Sequence, residues 1–292
     1  MGKRQVTVAA VQMQCTNHPQ ENLKKAEKMV RQAAAGAQII LLSELFEREY
    51  FCQQRRYDFY SYAKPVEENE AVCWGQKLAK ELKVVLPISF YEKEVNNLYN
   101  SVACIDADGE LLGVYRKTHI PDDHYYQEKF YFTPGDTGFR VFDTRYGKIG
   151  VGICWDQWFP ETARCMALEG AELLFYPTAI GSEPILECDS MPHWRRCMQG
   201  HAAMNLMPVI AANRIGKEEV KPCAENGGQE SALIFYGSSF ITDETGELLQ
   251  TASRDQEEIL TETFDLDELA AKRLEWGLFR DRRPKCYGKI TE

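Results

Sequence analysis

The sequence predicts a layered α/β domain organised around a mixed sheet. Helical and strand periodicities alternate along the 292 residues, and several strands fall in pairs close enough to form hairpins. The 44% hydrophobic and 27% charged residues are those of a chain that folds around a core. The length admits one large domain or two ordinary ones. The single linker-like stretch, "GKEEVKPCAENGGQES" (216–231), falls between two strands of the later half and reads as a loop. One domain spanning residues 1–292 is therefore expected.

"VTVAAVQM" (6–13) reads as the first strand, and "ENLKKAEKMVRQAAA" (21–35) as a helix that Gly36 ends. "AQIILLSE" is a buried strand closing on Glu44, and a second helix near 68–82 leads to the strand "VVLPISFYE". "YNSVACID", "ADGE" and "LLGVYRKTH" form a hairpin whose turn is Asp-Gly. "FRVFDTRYGKIGVGIC" forms a second hairpin, ending in Cys154. A helix over 160–169, the strand "AELLFYP", a helix over 190–206 and the strand "PVIAANR" follow. "SSFITDETGELLQTAS" is a third hairpin, then come a strand at 258–264, a helix near 266–276 and an irregular basic tail.

A net charge of -10, with no basic stripe to neutralise phosphates, argues against nucleic acid as a partner. No apolar run approaches the roughly 18–20 residues that span a bilayer. The N-terminal apolar run is interrupted by Gln12, which fits a strand better than a signal peptide. Met1-Gly2 lacks the Ser or Thr of a myristoylation signal, since position 6 is Val6. The expected compartment is cytoplasmic. Ten cysteines at scattered spacing, with no C-x-x-C, argue against a zinc or thioredoxin-like site and for free thiols, most of them small core residues. His119 and His124 have no carboxylate or cysteine cluster at ligand spacing. No metal and no cofactor is expected. Glycines 147, 150 and 152 fail the dinucleotide-binding spacing.

Three ionisable residues occupy equivalent places. Glu44 ends "IILLSE", Lys117 ends "LLGVYRK" and Cys154 ends "IGVGIC", where a strand turns sharply toward the helix opened by Pro160. Ligands of open α/β sheets sit outside the carboxyl ends of strands. Each residue also has a plainer reading, Glu44 as a cap and Lys117 as a solvated residue after a hairpin. Together they supply a reaction. A thiol is only a few per cent thiolate at neutral pH and needs a base. A glutamate supplies that base, an ammonium receives oxyanion charge, and the Trp155 N–H past the nucleophile is a second donor. Gly150 and Gly152 fit close packing of the strand that carries the thiol, while Asp156 and Trp158 read equally as structural braces.

With their strand-end contexts, these residues resemble the Glu-Lys-Cys triad of the nitrilase (carbon–nitrogen hydrolase) superfamily. The resemblance runs from "VAAVQM" through "YPTAIG" and "AANR" to "YGSSFI". It implies a four-layer α-β-β-α sandwich, at least a homodimer, and a hydrolase without cofactor. It also implies that Glu128, in "YYQEKFYFTPGDTGF", is a second glutamate bracing the lysine and the substrate's leaving amide. "YRKTHIPDD", "EKFYFTPGDTGF", "CWDQWFPE" and "AIGSEP" together resemble the branch that hydrolyses N-carbamoylputrescine to putrescine, ammonia and carbon dioxide. Relatives acting on N-carbamoyl-D-amino acids carry paired arginines after the cysteine to clamp a carboxylate; Gln157 and Trp158 stand there instead. The expected partner is thus a small cationic carbamoyl substrate. Its distal ammonium needs an opposite charge, for which Glu183 in "AIGSEP" is the candidate; Glu183 also reads as a helix N-terminal acid. Asp122, Asp123 and Tyr125 are the alternatives. Another carbamoyl or ω-amide hydrolase of this fold is the nearest rival, and a non-catalytic assembly scaffold is the rival from another class. The apolar-aromatic tail "LEWGLFRDRRPKCYG" (274–288) makes 274–292 a candidate interface arm.

Overall fold

The computed structural model describes residues 4–182 and 187–292. In chain order its strands are β1 (Gln5–Gln14), β2 (Ile39–Leu41), β3 (Leu86–Glu94), β4 (Asn97–Ile105), β5 (Leu111–Arg116), β6 (Val141–Thr144) and β7 (Gly147–Val151). They continue as β8 (Leu173–Pro177), β9 (Val209–Ala212), β10 (Arg214–Val220), β11 (Ser231–Tyr236), β12 (Phe240–Thr242), β13 (Leu248–Thr251) and β14 (Glu258–Asp265). The helices are α1 (Pro19–Ala33), α2 (Glu70–Leu82), α3 (Pro160–Leu168), α4 (Met191–Asn205) and α5 (Leu266–Trp276).

Two sheets face each other. In the first, β1 pairs antiparallel with β14 and parallel with β2. A bridge between Ile39 and Val85 carries β2 on toward β3, and β3-β4-β5 form an antiparallel meander. The β10-β11 hairpin joins the end of β1 through Met13 and Gln14. The second sheet has the order β13-β12-β9-β8-β7-β6, with β7, β8 and β9 parallel.

The alternation of β1 assigns the layers. Val6, Val8 and Ala10 face the second sheet, packed in one cluster with Ile149, Val151 and Phe175. Ala9, Val11 and Met13 point the other way, into a cluster with Leu23, Ala26, Met29 and Val30 of α1 and Val72 and Leu78 of α2. On the far side, α3 and α4 cover the second sheet through Ala163, Met166, Met198 and Ala202. The result is the expected four layers, α-β-β-α. Each outer helix earns its place by a buried stripe at helical spacing, and α2 starts where Asn69 accepts the Val72 amide.

Residues 216–231 correct the sequence reading. Strand β10 runs through Val220 and β11 starts at Ser231, so only the middle of the segment is a loop. Lys217 and Glu219 are exposed while Glu218 and Val220 are buried, which is strand alternation with a charged residue on the inner face. Glu218 is tolerated there because Arg214, four residues earlier, lies 3.0 Å away.

The close packing expected around the thiol-bearing strand is present. A Cβ on Gly150 would stand 2.8 Å from Met166 Sδ, and one on Gly152 would stand 2.8 Å from Tyr176 Cε1. The tail departs from helix at Trp276 and continues as two short 3-10 turns, Pro284–Cys286 and Gly288–Thr291.

Candidate active site

Glu44, Lys117 and Cys154 each follow a strand, but the strands belong to both sheets. Glu44 lies past β2 and Lys117 directly past β5, whereas Cys154 follows β7 and opens the 3-10 turn Cys154–Trp158. The two sheets meet where the Glu44 amide donates to the carbonyl of Thr178, just past β8, at 3.4 Å. The site is therefore a junction between sheet ends, not the rim of one sheet. Cys154 has φ +42, in the left-handed region that only a sharp turn requires of a side-chain-bearing residue. That turn lifts the thiol out of the strand line. Its Sγ donates to the Ala179 carbonyl at 3.7 Å.

Lys117 is wholly buried between two wholly buried carboxylates. Its Nζ donates to Glu44 Oε1 at 2.8 Å and to Glu128 Oε2 at 2.6 Å. An ammonium has three donors, so one N–H remains after these bonds. Asn100 Nδ2 donates to the same Glu44 Oε1 at 2.7 Å, and Tyr50 OH donates to Glu128 Oε1 at 2.6 Å. Oε1 of Glu44 is thus doubly loaded, while buried Oε2 has no hydrogen-bond partner among the described residues.

The electrostatics follow from burial. Burial alone would lower the Lys117 ammonium, yet the charges of Glu128 and Glu44 outweigh it and hold Lys117 well above its ordinary range. Burial, with the Glu44 charge adding and Lys117 opposing, pushes Glu128 up to about 7. Burial and then the Glu44 charge push the Cys154 thiol well above its ordinary value, with Lys117 again opposing. Both effects favour the protonated thiol, and the Glu44 carboxylate whose charge acts on it has an oxygen, Oε2, without a hydrogen-bond partner among the described residues.

Several site residues gave no sequence signal strong enough to single them out. Asn100 was one polar residue inside an apolar strand, and Tyr50 one aromatic among many. Arg214 ends "AANR" much as Glu44 ends its strand; that strand-end charge was the available clue. Its guanidinium donates to the carbonyls of Glu44 at 2.7 Å and Leu45 at 3.0 Å, gripping the turn that carries Glu44. Its partner Glu218 accepts the Tyr50 amide, so β10 also anchors the residue that holds Glu128.

The remaining candidates are spread outward. Trp155 is 39% exposed and directly follows the thiol in the 3-10 turn. Tyr125 sits at φ +69 in a turn closed by Asp123 and Tyr126, and with Asp122, Asp123 and Arg55 borders a cavity of about 500 Å³. Tyr126 OH accepts the Gly181 amide at 3.1 Å, which lays this loop against the segment leading to residue 183. Glu183 itself lies outside the described residues. All ten cysteines are free thiols. Among the described residues no helix is long and apolar enough to cross a membrane.

Residues 7–274 match the family model described as carbon-nitrogen hydrolase. The chain is 57% identical over 284 residues to the N-carbamoylputrescine amidase of Oryza sativa subsp. japonica, covering 97% of this chain and 93% of that one. It is 52% identical over 288 residues to a citrullinase of Francisella tularensis subsp. tularensis, covering 98% of both. Its backbone superposes on the crystal structure of a carbon-nitrogen hydrolase from Helicobacter pylori G27 with a TM-score of 0.89, at 37% identity and 99% coverage of each chain.

Proposed function

This chain belongs to the carbon–nitrogen hydrolase family, and from that premise we propose that it hydrolyses N-carbamoylputrescine to putrescine, ammonia and carbon dioxide, a step that forms a polyamine. One observation carries the chemical half of this reading: Lys117 joins Glu44 and Glu128 in a wholly buried network whose charges act on the buried Cys154 thiol. In the reaction we infer, Glu44 Oε2 takes the thiol proton as Cys154 Sγ bonds to the carbamoyl carbon. The remaining Lys117 N–H and the Trp155 amide receive the oxyanion. Collapse breaks one C–N bond, and Glu44 returns its proton to the departing nitrogen. Glu44 then deprotonates a water that attacks the thiocarbamate, which frees Cys154. The carbamic acid so formed breaks down to carbon dioxide and the second amine. Glu128, held by Tyr50, keeps Lys117 aimed throughout. Each step uses only groups of this chain and water.

The relatives support the choice of N-carbamoylputrescine, and Gln157 beside the nucleophile offers no anion clamp. The citrullinase relative favours a second reading, because citrulline is also an N-carbamoyl amine, with an α-amino acid group in place of the simple distal ammonium. Ammonia release from N-carbamoylputrescine, citrulline, N-carbamoyl-β-alanine and an ω-amide decides between them. The proposal requires the highest kcat/KM for N-carbamoylputrescine; a preference for citrulline by tenfold, about 1.4 kcal/mol, would replace it with the second reading.

Ten free thiols fit a reducing, cytoplasmic compartment. Leu274 and Trp276, 78% and 71% exposed, fit a single domain whose arm, residues 274–292, is covered in a homo-oligomer. Light scattering that found a fully active monomer would remove the oligomer.

A further inference from the structure

The carboxylate of Asp156 is completely buried and gathers hydrogen bonds from two separate segments. Oδ2 accepts from the Ile153 amide at 2.9 Å and from the Tyr115 hydroxyl at 2.7 Å. Oδ1 accepts from the His119 amide at 3.0 Å and lies 2.8 Å from His119 Nδ1. Ile153 immediately precedes Cys154, while Tyr115 and His119 flank Lys117 two residues to either side. The His119 ring also stacks on Phe159, centroids 3.7 Å apart and 5° from parallel, and the Phe159 amide closes the same turn onto the Asp156 carbonyl at 3.2 Å. One side chain thus joins the elbow that carries the thiol to the segment that carries the ammonium, although these come from different sheets.

We propose that Asp156 is a positioning residue that sets Cys154 against Lys117, so that the tetrahedral oxyanion forms where the ammonium can receive it. The identity of the side chain fits this task. Backbone N–H groups approach both of its oxygens, so both must accept, which a carboxylate does and an amide cannot. In Asp156→Asn either the Ile153 amide or the His119 amide would meet another donor. The elbow needs such a fixture, because Cys154 holds a left-handed φ that nothing in an unbranched strand end would maintain. Displacing a preorganised oxyanion donor from its place weakens the transition state without weakening ground-state binding to the same degree.

The inference rests on the hydrolase mechanism proposed above, and its test separates the two. Asp156→Asn is compared with wild type in two reactions: turnover of N-carbamoylputrescine, and alkylation of Cys154 by iodoacetamide. The second needs the thiol and its base but builds no tetrahedral oxyanion. The expected result is a kcat lowered at least about tenfold more than the alkylation rate, the size of one misplaced charged hydrogen bond, with KM changed much less. Equal losses in both reactions, or a loss in KM alone, would overturn the proposal and leave Asp156 a brace of the fold. If Asp156→Asn does not fold, Tyr115→Phe removes a single bond and keeps the ring. It must show the same inequality, about threefold, and equal or absent changes overturn the proposal there too. Should wild type not hydrolyse N-carbamoylputrescine, the substrate reading fails by itself, and the comparison is run on whichever amide or carbamoyl compound in the panel is turned over.

Discussion

Lys117 Nζ lies 2.8 Å from Glu44 Oε1, the same oxygen that Asn100 approaches, and this contact divides the labour of the Glu44 carboxylate. Two donors fix Oε1 while Oε2 has no partner among the described residues, and it is this oxygen that we propose exchanges the proton. The same contact spends only part of the lysine, whose third donor stays available for charge that develops on a substrate.

Removing the ammonium should therefore cost transition-state stabilisation. Lys117→Ala is expected to lower kcat by about 10²–10³ or more, the range for losing an oxyanion donor. Lys117→Arg should not restore it, because a planar fork cannot replace a point charge seated between two carboxylates. Steady-state ammonia release from the two variants measures this, and full activity in Lys117→Arg would count against the role.

Asn100 gives a finer test of the division between the two oxygens. In Asn100→Ala, Oε1 keeps Lys117 alone and the carboxylate can rotate. A hydrogen bond to a charged group is worth about 1.5–3 kcal/mol, so kcat should fall about ten- to a hundredfold with a smaller change in KM. An unchanged kcat would mean that Lys117 orients Glu44 unaided.

A stability prediction comes from His201, buried on α4 with Nδ1 3.1 Å from Tyr176 OH. Burial lowers its imidazole from 6.5 to about 4. The unfolded chain therefore binds a proton that the folded chain refuses between those values. The stability this confers is complete above pH 6.5 and is lost as pH falls through about 4. At about 1.4 kcal/mol per pH unit the loss approaches ~3 kcal/mol. Denaturant unfolding of wild type and His201→Gln across this interval should show a steeper acid decline in wild type; parallel curves would refute the assignment.

Much of the fold and part of the candidate site are legible in the sequence, for a common physical reason. Where an apolar strand ends in an ionisable group, the interruption is conspicuous, and Glu44, Lys117 and Cys154 all have that form. The layered sandwich follows from β1, whose alternate residues face two different clusters. What stayed hidden depends on pairing in space. Glu218 looked like one charge of a polar loop because its partner Arg214 makes inward burial tolerable only after β10 has formed. Asn100, Tyr50 and Asp156 are ordinary in composition and acquire meaning from the atoms they meet. That the triad draws on both sheets could not be read from three strand ends alone.

Specificity for a cation should depend on an acidic partner for the distal ammonium. We propose Glu183 for that part, on the sequence evidence that it follows the end of β8 in "AIGSEP". Losing one partner of a desolvated charge pair costs about 2–5 kcal/mol, and solvent access reduces this. Glu183→Gln should lower kcat/KM for N-carbamoylputrescine at least about tenfold while an analogue ending in a methyl group loses little. Equal losses for the two would assign Glu183 to the scaffold and send the search to Asp122, Asp123 and Tyr125 at the cavity they border.

The central claim is that Cys154 becomes bonded to the carbamoyl carbon. The most direct measurement is acid-quenched mass spectrometry of the enzyme during turnover of N-carbamoylputrescine, with the peptide carrying Cys154 isolated, alongside ammonia release by Cys154→Ser. The account predicts a carbamoyl thioester on that peptide and, because a carboxylate activates an alcohol far less readily than a thiol, almost no turnover in the folded serine variant. A Cys154 peptide that stays unmodified throughout turnover, with near-normal ammonia release from Cys154→Ser, would contradict it.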